Sequence, residues 1–493
     1  MSHELSKSTF MRGVKCEKNL FFNKRRKYLR DKTSAQQEAI FDQGTKVGEL
    51  AQELFPSGID LTPETFYEFG PSIAKTKEAI ANGTPVICEA AFLYDGVLAA
   101  MDILVKSANG YKAYEVKSST QVHEQYIQDV ALQTYAIQNA GVHLEDVSVI
   151  HINNQYVKNG PLDIHELFTI VSIWEAIQNP LARIPNQVRR FKSVLNAPEP
   201  PEVGIGMHCH EPYACDFLGA CWKGVPAYSV FDISRLKKEK AFELYEKGIV
   251  NVADVPDDFP LSENQRLQVV AEQDQKAIIE KEKIKGFLAE LNYPIYHLDF
   301  ETMGHAVPIF DGSKPYQQIV FQYSLHVQDK PGATPTHFEF LAETNGEDPR
   351  IKFVNQLIQD LGTEGDVLVY NIPFERGKLN DLAELFPAKA PAINAIIDRL
   401  VDLMVPFQQK WYYTPSMQGS YSIKKVLPAL VPAFNNSYAS LTISEGGTAS
   451  TVYAQMTDGS YEGDYDAARK DLLAYCKLDT LAMVEILGVL GGV

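Results

Sequence analysis

Asn109-Gly110 sits between two strand-like runs, Ala-Met-Asp-Ile-Leu-Val-Lys ending at Lys106 and Tyr-Lys-Ala-Tyr-Glu-Val-Lys ending at Lys117. Asn-Gly flanked by apolar and β-branched residues is the strongest short-range hairpin signal a sequence carries. Two registers fit, with either Ala108-Asn109 or Asn109-Gly110 as the two-residue loop. The first sets Asp102 opposite Glu115, the second opposite Lys117. Both have the same parity, so Asp102, Glu115 and Lys117 share one face in either case. Two carboxylates and a lysine on one face can hold a divalent cation and support an attacking water. Ile103, Leu104, Val105 and Val116 mark this strand pair as core, where a charge is costly unless it has a partner or a task.

The chain's 493 residues predict two to four domains. No apolar run is long enough to span a membrane, and no apolar stretch follows the charged first residues, so a cytoplasmic protein without a membrane partner is expected. Six cysteines do not make a disulfide scaffold in this length; a spaced group of them in a reducing compartment points to metal. The net charge of −17 argues mildly against nucleic acid. Local clusters matter more than the total. One basic run gathers Lys15, Lys18, Lys24, Arg25, Arg26, Lys27, Arg30 and Lys32. A second holds Arg183, Arg189, Arg190 and Lys192, and a third Arg235, Lys237, Lys238 and Lys240. Three such groups on an acidic chain point to phosphate contact.

An Asp followed on the next strand by Glu-x-Lys resembles the PD-(D/E)XK nucleases of the RecB family. The resemblance implies that Asp102 and Glu115 bind Mg²⁺ or Mn²⁺ and that Lys117 positions or activates water. Many such nucleases carry Gly-x-x-x-His upstream, whose histidine is a metal ligand; here Gly48 stands in its place. They also carry a Gln and Tyr helix after the Lys strand, which points to Gln133 and Tyr135. Glu89, on the strand expected over 86–94, is a further candidate near the metal.

His208-Cys-His-Glu-Pro-Tyr-Ala-Cys215-Asp-Phe-Leu-Gly-Ala-Cys221 spells three cysteines at two equal spacings. A tetrahedral or cubane site needs a fourth thiolate, and Cys16 is the best spare. One cysteine before a RecB-type core and three after it resembles the AddB-type and CRISPR-adaptation nucleases. That resemblance implies a [4Fe-4S] cluster on Cys16, Cys209, Cys215 and Cys221, pinning the ends of the domain together. Zinc, with His208 or His210 replacing Cys16, is the alternative.

Residues 226–287 read as a helical connector, and Asn292-Tyr293-Pro294 announces a new domain. Asp299 and Glu301 share a face of a short strand. Tyr475 and Asp479, four apart, share a face of a late helix. Asp299-Phe-Glu301, Asn371-Ile-Pro-Phe-Glu375 and Tyr475-Cys-Lys-Leu-Asp479 together resemble the DEDD exonucleases of ribonuclease H-like fold. That resemblance implies that Asp299, Glu301, Glu375 and Asp479 hold two Mg²⁺ or Mn²⁺ ions about 3.5–4 Å apart, and that Tyr475 orients the attacking water. Glu375 stands where the superfamily usually has Asp; Asp402 is a substitute candidate. Lys424 and Lys425 read as a solvated helix face in preference to a phosphate contact.

The expected architecture is α/β: a restriction-endonuclease-like domain over 1–225, the connector, and a ribonuclease H-like domain with a mixed sheet over 288–493. The expected function is metal-dependent hydrolysis of nucleic acid, DNA in preference to RNA, in repair, recombination or defence. The rival expectation is a nucleic-acid-binding scaffold with one or both sites degenerate.

Overall fold

The computed structural model describes residues 4–65 and 68–493. The architecture is mixed α/β, with two principal sheets of mixed strand direction. The chain divides into two compact units: residues 1–224 with 305–317, and residues 225–304 with 318–493. The stretch expected as a connector therefore groups with the second unit, and thirteen residues between two strands of that unit group with the first.

The first unit is built on strands β1 (Leu5–Ser6), β2 (Ile59–Asp60), β3 (Val86–Tyr94), β4 (Val97–Lys106), β5 (Tyr111–Lys117), β6 (Leu144–Ile152) and β7 (Phe168–Ser172). They form one sheet in the order β2-β3-β4-β5-β6-β7, with β1 on β4. The β4–β5 hairpin adopts the first of the two registers: Lys106 pairs with Tyr111 and Ile103 with Tyr114, leaving Ala108-Asn109 as the loop. Continuing that register sets Asp102 opposite Glu115. Residues 97–98 of β4 pair in parallel with β1, while its other end pairs with β5.

Five helices matter here: α1 (Lys7–Lys15), α2 (Glu17–Arg25), α3 (Ala35–Gln52), α4 (Glu124–Asn139) and α5 (Trp174–Asn196). Sequence suggests one helical region from about residue 8 to 54, with a new run starting at Gly44; instead Cys16 interrupts it and α3 runs straight through Gly44 and Gly48. Helix α4 connects the parallel pair β5 and β6, as such a pair requires a crossover. Val130, Ala131, Ile137, Ile184, Val188 and Phe191 bury the apolar faces of α4 and α5 with Met101, Leu104 and Val147 of the sheet.

The second unit carries β8 (Ile278–Ile279), β9 (Ile295–Met303), β10 (Ile319–Gln328), β11 (Thr336–Leu341), β12 (Asp366–Val369), β13 (Leu400–Asp402) and β14 (Tyr412–Tyr413). Five of them form a sheet in the order β11-β10-β9-β12-β13; β8 pairs separately with β14. β9 is antiparallel to β10 and parallel to β12. The helices that position the site are α6 (Ile372–Leu385), α7 (Ile423–Leu430), α8 (Gly446–Asp458) and α9 (Tyr465–Gly491). Pro373 lies in the first turn of α6, where its missing N–H costs nothing. Ala482, Met483, Ile486 and Leu487 bury α9 in a core that also takes Ala271 and Ile284 from the segment expected as a spacer. Among the described residues no helix is long and apolar enough to cross a membrane.

Candidate active sites

In the first unit, Glu115 is the centre. It is 1% exposed on β5, and both its oxygens are engaged. Lys7 Nζ donates to Oε1 at 2.6 Å and Lys117 Nζ to the same oxygen at 2.5 Å. Gln133 Nε2 donates to Oε2 at 2.7 Å. Lys117 also reaches Asp129 Oδ2 at 3.0 Å. Asp129 and Gln133 lie one turn apart on α4, which is why both face the strand. Asp102 accepts from the Val116 amide at 2.6 Å.

Lys7 gets there through local structure. Ser6 pairs in β1 beside Leu98 and caps α1 through a reciprocal bond with Thr9, so Lys7 opens the helix at the edge of the site.

Charge decides the protonation states. Burial would push the Glu115 carboxyl up, but Lys117 and Lys7 together hold it down at about 2. On Asp102 burial, then the Glu115 charge, outweigh Lys7, Lys117 and the Val116 amide and push it up to about 6. Cys88 pairs with Ile103 and Ala90 with Met101, which sets Glu89 opposite Asp102. Burial, then the Asp102 charge, push Glu89 up to about 8, and its backbone is left-handed, with φ 53°.

Thus Asp102, Glu115, Lys117, Glu89 and Gln133 come together. Tyr135 does not join them: its ring packs edge-on against Tyr94 at 5.4 Å. A Cβ on Gly48 would meet nothing within 4 Å. Sequence reasoning missed Lys7 and Asp129. The four-residue spacing of Asp129 to Gln133 is a signal for the second; nothing local announces the first.

Cys16, Cys209, Cys215 and Cys221 all line one pocket, together with Asn19, Phe22 and His208. His210 instead packs edge-on against Trp222. Asn19 Nδ2 donates to Cys215 Sγ at 3.1 Å. Arg12 and Arg30 both pair with Asp216, at 2.7 and 2.5 Å, so the two ends of the unit are joined by charge as well. Burial pushes the Cys215 and Cys221 thiols up; a bound metal reverses that, because only thiolates ligate. No three of these thiols and imidazoles have ligand atoms within 4.8 Å of one another. A tetrahedral zinc ion with 2.3 Å bonds holds its sulfurs about 3.8 Å apart. A cubane, several atoms across, holds its sulfurs further apart than that.

The second unit brings its acids together from three elements. Asp299 and Glu301 alternate along β9. Helix α9 crosses this strand so that Cys476 Sγ lies 3.8 Å from both the backbone oxygen and Oδ2 of Asp299. Ligand atoms of Asp299, Glu301 and Cys476 lie within 4.8 Å of one another, a grouping of metal size. One turn along, Asp479 Oδ1 accepts from the Tyr438 hydroxyl at 2.5 Å; Tyr475 also donates to Asp479. Glu375, in the first turn of α6, is 2% exposed, and its Oε2 has no hydrogen-bond partner.

These carboxyls repel one another. Burial, then Asp479, Glu301 and Glu375, push Asp299 well above the carboxylate range. Burial and Asp479 do the same to Glu301, opposed by Lys424. Burial pushes Asp479 up to about 6 and Glu375 up to about 8. Such a cluster is protonated or is neutralised by a cation.

Lys424, expected on a solvated face, instead lies 5.3 Å from the Tyr438 ring and 5.1 Å from the Tyr475 ring, and donates to the Ser444 carbonyl at 2.7 Å. Helix α8 starts close by: a Cβ on Gly446 would lie 3.7 Å from Glu301 Oε2 and from the Tyr475 hydroxyl. Asp402 has another task. Its carboxylate accepts from the amides of Asn371, Ile372 and Met404 at 3.1, 3.1 and 2.9 Å. It caps the start of α6 and fixes the turn that aims Glu375, so it is no substitute ligand.

Residues 296–422 match the family described as "Domain of unknown function (DUF2779)". That span contains Asp299, Glu301, Glu375 and Asp402 but not Tyr475 or Asp479. The chain is 31% identical over 229 residues to the "Uncharacterized protein MG366 homolog" of Mycoplasma pneumoniae, covering 43% of this chain and 34% of that protein. It is 26% identical over 219 residues to "Uncharacterized protein MG366" of Mycoplasma genitalium, covering 41% and 33%. A third similar protein, "Uncharacterized protein UU173" of Ureaplasma parvum, is 27% identical over 223 residues, covering 40% and 31%. The chain thus spans about a third of the length of the curated relatives it matches.

Proposed function

We propose that this protein is a cytoplasmic, metal-dependent phosphodiesterase of nucleic acid, with DNA preferred over RNA, carrying a DEDD-type site in its second unit and a PD-(D/E)XK-type site in its first. The observation that carries the reading is the buried group of Asp299, Glu301 and Asp479, with Glu375 near enough to add its charge to Asp299, and the repulsion among them calls for divalent cations. Mg²⁺ or Mn²⁺ held there would polarise water and neutralise the leaving oxygen. Asp299 and Glu301 bind from the strand, Asp479 from α9, and Glu375 offers a carboxylate oxygen that no protein donor uses. The Tyr475 hydroxyl would orient the water, and the Lys424 ammonium would meet phosphate charge. In the first unit Asp102 and Glu115 are the ligands, and Lys117 serves the water. Cys16, Cys209, Cys215 and Cys221 would hold a [4Fe-4S] cluster as a structural cross-link.

A second reading has the first unit bind nucleic acid without cutting it. It is favoured by the two ammonium groups on Glu115 Oε1, the oxygen a metal would need.

The test is Mn²⁺-dependent degradation of end-labelled DNA by anaerobically purified protein, with Lys117→Ala and Asp299→Ala measured separately. Each variant removes one product class if both sites cut. Products that respond only to Asp299→Ala leave the first unit as a binder. Wild type that degrades neither DNA nor RNA overturns the proposal. Iron with equal labile sulfide, lost in Cys215→Ser, supports the cluster; zinc alone overturns it.

A further inference from the structure

Beyond the end of β5 the first unit opens a cleft of about 480 Å³ that the proposed chemistry leaves unused. Ser118, Thr120, His123, Tyr126, Asn154 and Tyr316 line it, and none of its lining side chains is acidic. It begins one residue past Lys117, whose Nζ lies 5.2 Å from the Tyr126 ring centroid. A ligand in the cleft therefore borders the Glu115 site directly. The volume is that of an ordinary small-ligand site.

Two aromatic side chains shape it. Tyr126 forms one wall, with the His123 ring edge-on to it at 5.3 Å. Tyr316 comes from residues 305–317, the stretch that leaves the second unit's sheet order to join the first. The Lys158 amide donates to Ser313 O at 3.0 Å and the Gly312 amide to Lys158 O at 2.8 Å. Lys158 Nζ also pairs with Asp311 at 2.8 Å. So fastened, Tyr316 takes a left-handed backbone, φ 61°, that a bulky residue adopts only when its surroundings force it. Its hydroxyl donates to the Ser118 carbonyl, and the residue remains 40% exposed. An aromatic fixed at one end yet open to solvent is a platform rather than core.

Aromatic faces with hydroxyl, imidazole and amide groups, and no lysine or arginine in the lining, suit a nucleobase and its sugar better than a phosphate. We propose that the cleft is a nucleobase-stacking subsite, in which Tyr316 stacks an unpaired base next to the phosphate addressed by Glu115 and Lys117. This rests on the nuclease reading of the first unit and adds to it a requirement for locally single-stranded substrate.

The test uses full-length, cluster-loaded protein carrying Asp299→Asn to silence the second site. KM and kcat are measured in Mn²⁺ on a 12-nucleotide single strand and its duplex. Tyr316→Ala should raise KM for the single strand roughly tenfold, the size of one lost stacking contact, with kcat within about twofold. Tyr316→Phe, which keeps the ring, should stay within about twofold of the parent. An unchanged KM in Tyr316→Ala overturns the subsite. So does a Tyr316→Phe variant as weak as Tyr316→Ala, since the hydroxyl contact with Ser118 would then be the whole role. A parent that cleaves neither substrate instead removes the first-unit nuclease reading on which the subsite depends.

Discussion

The two acidic sites solve the same electrostatic problem in opposite ways. In the first unit Glu115 is buried with its counterions: Lys7 and Lys117 share one of its oxygens and Gln133 takes the other. In the second, Asp299, Glu301, Glu375 and Asp479 are buried chiefly with one another, and the nearby ammonium of Lys424 only partly offsets them. Glu115 is accordingly held at about 2, while Asp299 and Glu301 are driven well above the usual range. Residue type alone does not make a metal site. The first is self-neutralised and would have to exchange an ammonium for a metal ion; the second has one ammonium, Lys424, against four carboxyls, and Glu375 Oε2 has no donor to displace.

The largest contrast is expected from removing one charge at each place. Asp299→Asn should lower Mn²⁺-dependent cleavage at the second site by more than about 100-fold, since even outer-shell partners cost 10–100-fold. It should also raise the melting temperature of metal-free protein by several degrees, because repulsion is relieved. Glu115→Gln should do the reverse to stability, losing about 3 kcal/mol because Lys7 and Lys117 are then left to share Asp129. Calorimetry of both variants without metal checks the pair; shifts of the same sign would break the contrast.

Next in size is the response to pH and metal. Glu375 at about 8 and Asp479 at about 6 are raised carboxyls. The folded state therefore binds more protons than the unfolded one, and metal-free stability should fall as pH rises from about 4.5 to 8, by a few kcal/mol. Glu115, depressed to about 2, contributes stability present above about 4.5 and lost as pH falls towards 2. Mn²⁺ at 100 times its pH 8 dissociation constant should restore about 2.7 kcal/mol at pH 8, and the same concentration should restore less at pH 6, where protons compete for the carboxylates. Denaturant midpoints with and without Mn²⁺ at both pH values measure this. A metal effect independent of pH would place the cation away from these acids.

Smaller still is the effect of Lys7→Ala. With the ammonium partly exposed, it should cost about 1–2 kcal/mol while tightening Mn²⁺ binding at the first site, read by electron paramagnetic resonance. Smallest is Asp402→Ala, which should cost about 1 kcal/mol through the lost cap without removing a metal ligand.

What could be read from the chain was local. The Asn109-Gly110 hairpin, the shared faces of Asp102, Glu115 and Lys117, and the one-turn spacing of Tyr475 and Asp479 all follow from strand and helix periods. Convergence was harder. Lys7 reaches Glu115 only because two residues of β1 pair with β4, a parallel contact too short to leave a pattern. Lys424 reads as a surface charge until Tyr438 and Tyr475 are seen on either side of it. Asp402 and Glu375 look interchangeable in sequence; three backbone amides settle that Asp402 is a cap. The excursion of 305–317 carries no compositional break, since Gly304 and Gln318 lie in ordinary loop sequence at the ends of two strands.

The thiol pocket has a consequence for biosynthesis. Cys16 leaves the ribosome first, yet its three companions follow roughly 200 residues later, a wait of about 10–40 s at ordinary elongation rates. During that interval the Asp216 partner of Arg12 and Arg30 is also missing, so the Cys16 end of the amino-terminal helices is not yet closed. If the four thiols hold the proposed cluster, expression that outruns iron supply, or oxygen reaching Cys16 in that window, should therefore show up as aggregation of nascent chains rather than as inactive folded product.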